Sequence, residues 1–305
     1  MSCSNSSKRA VDARKLPAIA SHRVAKSGDL VSYQDIQFDI ENGIATITLN
    51  RPDHSNAFSG AMGSELGQAY QRCDRDDSVR AVIVTGAGRE FCVGADMGSG
   101  AATFESQHRD RFSAGAGIEP PAWQVRKPVI AAMNGHAVGI GLTLAMQCDI
   151  RLAAIEAKYG FVQVRRGVIP DCYSHWTVPR AVGFARATEL FLTGRLFKGD
   201  EAAAIGVATQ AFASDQVLIE ANKIARDIAD HTAPLSVAIS KRLLWETPAL
   251  TREQAGHKET ELHHHVMGRS DAIEGVMAHL ERRPPQWKLS VVDDWPEWPD
   301  SDETG

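Results

Sequence analysis

Hydrophobic and polar positions alternate over two short runs at the start of the recognisable pattern. Ile36-Gln-Phe-Asp-Ile40 and Ile44-Ala-Thr-Ile-Thr-Leu49 flank Glu41-Asn42-Gly43, which predicts a hairpin of two strands around a tight turn. Asn50-Arg51-Pro52-Asp53 reads as a further turn. Between Ser59 and Asp76 the period changes, and Met62, Leu66, Ala69, Tyr70 and Cys73 recur on one helical face. The apolar run Val79–Thr85 predicts a buried strand ending at Gly86-Ala87-Gly88. Pro128–Met133 and Ile150–Ala154 predict two more strands, separated by a glycine-rich turn and a helix over Leu142–Gln147. From Arg180 onward the periodicity is helical, through 185–192, 200–205, 217–228 and 235–245, until Pro284-Pro285 stops the last helix. Strands interleaved with helices, then helices alone, predict an α/β core followed by a helical lobe. The tail from Val292 is acidic and Pro-rich, and the pattern holds no evident internal repeat.

Composition changes this picture little. A chain of 305 residues with 43% hydrophobic and 23% charged residues is an ordinary soluble globular chain that can bury a sizeable core. A net charge of -5 supplies no basic field for nucleic acid or an anionic membrane surface. Cys3, Cys73, Cys92, Cys148 and Cys172 are odd in number and scattered, which points to reduced thiols in the cytoplasm and away from a disulfide framework or zinc site. The N-terminal stretch carries six Lys/Arg residues up to Lys26 but no hydrophobic segment, so it reads as a disordered leader.

Single residues suggest chemistry without fixing it. Gly86-Ala-Gly88 after a strand fits a nucleotide loop, but there is no GxGxxG. Three consecutive histidines, His263 to His265, diverge by about 100° each on a helix and cannot face one metal ion. His136 and His175 read as packed or surface residues, and Cys92 and Cys172 have no evident base partner. Ser174-His175 lacks a triad context.

Four stretches in order carry a resemblance. They are Ile47 to Ala57, Arg80 to Met97, Lys127 to Ile150, and Gly167-Val-Ile-Pro170 with Pro179-Arg180 and Leu192 to Arg195 behind it. From about Tyr33 to Lys288 the chain resembles the enoyl-CoA hydratase/isomerase (crotonase) family. The resemblance implies an α/β fold: a crotonase-like spiral of ββα repeats with a C-terminal helical trimerisation region. Residues 1–32 are then a leader, 33–195 the core, 196–288 the trimerisation and pocket-closing region, and 289–305 an irregular acidic tail. It further implies an acyl-CoA substrate with no cofactor beyond the coenzyme A it carries, no metal, no nucleic-acid or membrane partner, and a homotrimer or dimer of trimers.

The family stabilises an enolate with two backbone amides, which by position are those of Ala95 and Ile140. Gly94 and Gly139 let the backbone turn there, and the helix beginning near Gly141 points its positive end at the thioester oxygen. Ile140 stands where hydratases carry glycine, which narrows the pocket. Arg51, Ser55, Asn56 and Ala57 are expected to contact coenzyme A, with Arg89 near its phosphates, while Asp96 orders the Gly-Ala-Asp turn. His264 or His265 is placed by the same resemblance beside the acyl pocket.

Thr143 and Gln163 stand where the family's hydratases carry glutamates. Threonine does not exchange a proton near neutral pH and glutamine offers only a neutral amide, although both can position a water or a carbonyl. One carboxylate remains, Asp171, at a position that resembles an acidic one in divergent isomerases of the family. Two readings stay open for it. It is a base whose pKa burial must raise from about 3.9, or it is the N-cap of a helix, bonding the amide of Tyr173 or Ser174. Double-bond isomerisation through Asp171 is the leading expectation. Hydration by water positioning and a catalytically silent CoA-ester binding protein are the alternatives.

Overall fold

The computed structural model describes residues 32–104 and 113–300. Apart from Ser32, the leader expected over residues 1–32 lies outside them, as do the last five residues of the tail. Asn42 and Gly43 both carry positive φ, 50° and 81°, the left-handed backbone that suits a two-residue hairpin turn. The turn joins β1 (Ile36–Glu41) to β2 (Ile44–Leu49) with Ile36 opposite Leu49. Ser59 then caps α1 (Gly60–Arg75), its hydroxyl accepting from the Met62 amide at 3.0 Å. The face that α1 buries holds the five residues that the periodicity selects, Met62, Leu66, Ala69, Tyr70 and Cys73.

β3 (Ala81–Gly86) and β4 (Val129–Met133) are buried along their whole length, as continuous apolar runs in a parallel sheet require. β5 (Ala137–Val138) leads into α2 (Ile140–Ala145), which begins two residues earlier than the sequence suggests. β6 (Ile150–Ala154) and β7 (Lys158–Gly160) follow, then α3 (Ser174–Val182) and α4 (Phe184–Thr193). β8 (Phe197–Lys198), α5 (Gly199–Ala204) and β9 (Gln210–Phe212) come next. Two strands therefore interrupt the stretch read as wholly helical. With two and three residues they are too short for an alternating pattern to register, and β9 is defined by parallel pairing to β6 far upstream. The main sheet runs β1-β2-β3-β4-β6-β9, and β5-β7-β8 form a second, smaller one.

α6 (Ser214–His231) packs across β3, β4 and β6, and its last turn leads to α7 (Pro234–Glu246). Lys241 of α7 is only 6% exposed. Its ammonium donates to the carbonyls of Ala122 and Lys127 at 2.9 and 3.0 Å and lies 2.7 Å from Asp149 Oδ2. α8 (Arg252–Val266) and α9 (Ser270–Glu281) complete the helical region. The tail is irregular in backbone yet docked: Trp295 and Trp298 stack at 5.7 Å, and the Trp298 indole donates to Glu246 at 2.8 Å.

Candidate active site

The loop after β2 is held by its own polar side chains. Asn56 is fully buried; its Oδ1 accepts from the Arg51 amide, and its Nδ2 donates to the carbonyls of Ala87 and Glu90 at 2.9 and 2.7 Å. The Arg51 guanidinium binds Asp96 at 2.7 Å and the Ala57 carbonyl, and lies 3.6 Å from Asp35. These groups fasten the loop to the turn after β3. The side chains of Arg51 and Asn56 are therefore engaged within the fold. Ser55 carries a φ of 51° and its carbonyl accepts from Val93, while Ala57 is buried. Arg89 stays 88% exposed and lies 3.5 Å from the Glu90 carboxylate.

Phe58 pairs with Ala95 as a parallel bridge: its amide donates to Gly94 and its carbonyl accepts from Asp96. Neighbouring amides in an extended segment point to opposite sides, so the Ala95 amide faces away from Phe58. Asp96 orders the turn as expected, its Oδ1 accepting from Gly98 at 2.9 Å, and Arg51 holds its carboxyl below the usual range. Opposite lies Gly139, with φ 58° and ψ -125°, a backbone that a side chain would strain. A Cβ on Gly139 would lie 3.8 Å from the Gly94 Cα, so the two turns are adjacent. Ile140, the first residue of α2, has an amide without a carbonyl inside the helix to bond. Two such donors facing developing charge are worth about 3–4 kcal/mol each. Gly141 packs closely: a Cβ there would lie 2.1 Å from the Cys92 carbonyl oxygen, which leaves no room for a side chain.

The two positions lacking glutamate converge on Asp171. Thr143, fully buried on α2, donates its hydroxyl to Asp171 Oδ1 at 2.6 Å. Gln163, on a short 3-10 turn over Val162–Arg166 and 6% exposed, reaches the same oxygen through Nε2 at 3.3 Å. The Gln163 side chain also borders Gly139, its Cδ 4.0 Å from where a Cβ would stand. Asp171 is thus 28 and 8 residues from its partners yet sits beside the amide turns. Burial pushes its carboxyl pKa up, opposed in order by hydrogen bonds from Thr143, its own backbone and Gln163. The N-cap reading fails geometrically. Tyr173 occupies the cap position of α3 without a side-chain cap, and the Ser174 amide bonds the Asp171 backbone carbonyl at 2.9 Å.

Cys172 and Tyr173 both adopt left-handed backbone, φ 49° and 56°, immediately after Asp171. The bend brings Tyr173 edge-on to Trp123 at 5.3 Å, a contact that the sequence pattern does not single out. No local signal marks it, because the contact joins segments 50 residues apart. The remaining candidates leave the site. His136 Nδ1 accepts from the Lys158 amide while its backbone amide donates to Glu90 at 2.8 Å, and His175 packs edge-on against Phe191. His265 faces the Asp294 carbonyl at 2.9 Å and Arg269, so it holds the tail instead of lining an acyl pocket. Among the described residues no cluster of His, Cys, Asp or Glu could hold a metal ion. Cys92 and Cys172 are buried thiols; burial raises both, Cys92 to about 12, so neither is a nucleophile.

Comparison with known proteins gives the chain its relatives. A family model described as enoyl-CoA hydratase/isomerase matches residues 39–290. The chain is 34% identical over 248 residues to the enoyl-CoA hydratase AFT3-1 of Alternaria alternata, a match covering 81% of this chain and 83% of that protein. It is 33% identical over 255 residues to the 1,2-epoxyphenylacetyl-CoA isomerase of Escherichia coli (strain K12), covering 81% and 96%. Among solved structures, a "probable enoyl-CoA hydratase/isomerase" from Mycobacterium abscessus superposes with a TM-score of 0.80 at 44% identity, covering 83% of this chain and 98% of that one.

Proposed function

The chain belongs to the enoyl-CoA hydratase/isomerase family, and we propose that within it this enzyme moves a carbon–carbon double bond of an acyl-CoA thioester, with Asp171 as its one proton carrier. The observation that carries the reading is a single buried carboxylate, held by neutral partners, beside the two amide turns. Asp171 takes a proton from C2 of a 3-enoyl thioester. The electron pair delocalises into a dienolate whose oxygen the amides of Ala95 and Ile140 hold. The same proton is delivered to C4, leaving the double bond between C2 and C3. One group suffices for both transfers, whereas hydration needs a base for water and an acid for C2. A pKa raised by burial suits Asp171 to taking and returning a proton. The relative named 1,2-epoxyphenylacetyl-CoA isomerase places an isomerase among the similar proteins, although its named substrate is an epoxide and not an alkene.

Hydration is the second reading, favoured by the relatives named as hydratases. No cofactor is proposed beyond the coenzyme A of the substrate. No helix among the described residues is long and apolar enough to cross a membrane, and a cytoplasmic location is proposed on the reduced cysteines. Ile273, Val276, Met277 and Leu280 line one exposed face of α9, which supports assembly as a homotrimer or dimer of trimers.

The test compares wild type and Asp171→Asn on 3-enoyl-CoA and 2-enoyl-CoA. Loss of general acid–base catalysis is expected to lower isomerisation by about 100-fold or more, with little hydration by either protein. An Asp171→Asn enzyme that isomerises normally refutes the reading. Efficient formation of 3-hydroxyacyl-CoA by the wild type moves the assignment to hydration.

A further inference from the structure

Thr143 and Gln163 reach Asp171 from separate elements, α2 and the 162–166 turn, yet both bond Oδ1. No side-chain donor meets Oδ2 among the described residues. A hydroxyl has one proton to give, and Thr143 Oγ1 is closer to the carboxylate (2.6 Å) than to the Ile140 carbonyl (3.2 Å), so the proton lies on the Asp171 side. The Gln163 amide has no other side-chain partner among the described residues, and its buried Oε1 faces no donor. Two buried polar side chains therefore spend their donors on one oxygen of one carboxylate.

We infer that Thr143 and Gln163 are positioning residues that clamp Oδ1 of Asp171, leaving Oδ2 alone to carry the proton between the substrate carbons. The inference rests on the isomerase reading above. Its geometric basis is α2. Ile140 and Thr143 are three residues apart and lie on one face, separated by roughly 1.5 Å of rise per residue. The helix that offers the oxyanion amide also anchors the base, so the spacing between thioester oxygen and proton carrier is built into a single element. Gln163 meets the same oxygen from a second element, the 162–166 turn.

The charge setting makes the clamp measurable. The titratable groups facing Asp171 are the thiols of Cys172, on its own loop, and Cys92, from the segment packed under Gly141, and burial keeps both neutral. Asp171 has no ion pair among the described residues, so Thr143, its own backbone amide and Gln163, in that order, are what favour its charged form against burial. Removing either donor raises the pKa and moves the acid limb of kcat/KM to higher pH.

The experiment records pH profiles of isomerisation for Thr143→Val, Thr143→Ser, Gln163→Leu and Asp171→Asn in the full chain. Thr143→Val is expected to shift the acid limb upward and lower kcat about tenfold while KM barely moves, the scale of one lost hydrogen bond to a charged group. Gln163→Leu should shift the limb in the same direction, and Thr143→Ser should restore both limb and kcat. Acid limbs unmoved in both apolar variants overturn the clamp, as does a loss confined to KM or a serine that fails to rescue. Should Thr143→Val not fold, Gln163→Leu and Thr143→Ser still decide the matter. If Asp171→Asn is fully active, it is the isomerase reading that has failed; if that variant is dead while the profiles coincide, only the clamp has.

Discussion

At the scale of single residues, the site places one carboxyl where burial works against its charge. The folded-state pKa of Asp171 is raised, above the unfolded value of about 3.9. The folded protein therefore holds this proton more tightly, and its stability falls as pH rises from the unfolded value through the folded one, then levels off. Asp171→Asn removes that penalty while keeping an acceptor for Thr143. The variant should melt above wild type at pH 8. The gap should shrink as pH is lowered toward 4.5. A variant that melts below wild type at pH 8, or a gap independent of pH, contradicts the buried-charge account. The sequence made Thr143, Gln163 and Asp171 legible as two missing acids and one present. It could not show that they touch, because the contacts span 28 and 8 residues and depend on where α2 and the 162–166 turn meet. The internal partners of Arg51 and Asn56 are hidden from the sequence for the same reason: their types suit a phosphate or amide ligand, and only the fold brings Asp96, Asp35 and the nearby carbonyls to them.

At the scale of elements, α2 is placed by contact with the segment that carries Cys92. Cys92 and Ala137 form a parallel bridge, and the Val138 amide donates to the Cys92 carbonyl at 3.0 Å. Gly141 then lies over that same carbonyl, with no room for a side chain. Gly141→Ala sets a Cβ against backbone atoms of Cys92, which cannot rotate aside. The expected cost is about 1–3 kcal/mol, with α2 pushed away and the Ile140 amide and Thr143 hydroxyl carried with it. Isomerisation should fall along with stability. Gly256, inside α8, has open space where a Cβ would stand, with nothing within 4 Å, so Gly256→Ala should stabilise by about 0.5–1 kcal/mol and leave activity alone. Denaturant midpoints and turnover of the two variants check the contrast, and a neutral Gly141→Ala rules out the packing argument. Long elements with strong periods, such as α1, β3 and β4, were legible from the sequence because burial of one face or both sets their pattern. β8 and β9 were not, since pairing with distant partners alone defines them.

At the scale of the whole molecule, Asp149 and Lys241 join the strands that carry the site to the helical region behind it. Asp149 follows α2 and accepts from the Val129 amide at 2.7 Å, at the start of β4. Its other oxygen accepts from the Trp245 indole at 2.7 Å, and Lys241 completes the set from α7. Trp245 in turn stacks on Trp176 of α3, the helix that follows Asp171. One half-buried carboxylate thus ties β4, the end of α2 and α7 together. Lys241→Met keeps the length of the side chain but leaves Asp149 and the carbonyls of Ala122 and Lys127 short of a cation, which should cost about 3–5 kcal/mol. Replacing both members of an isolated buried pair by apolar residues often recovers such a loss. Here it should not. Asp149→Leu would strand the Val129 amide and the Trp245 indole, each costing about 1–3 kcal/mol unpaired. The Lys241→Met/Asp149→Leu double variant is therefore expected to be no more stable than Lys241→Met alone in denaturant unfolding. Recovery in the double variant would reduce Asp149 to one half of an ion pair, and the link from the helical region to the site would then rest on the Trp176–Trp245 stack.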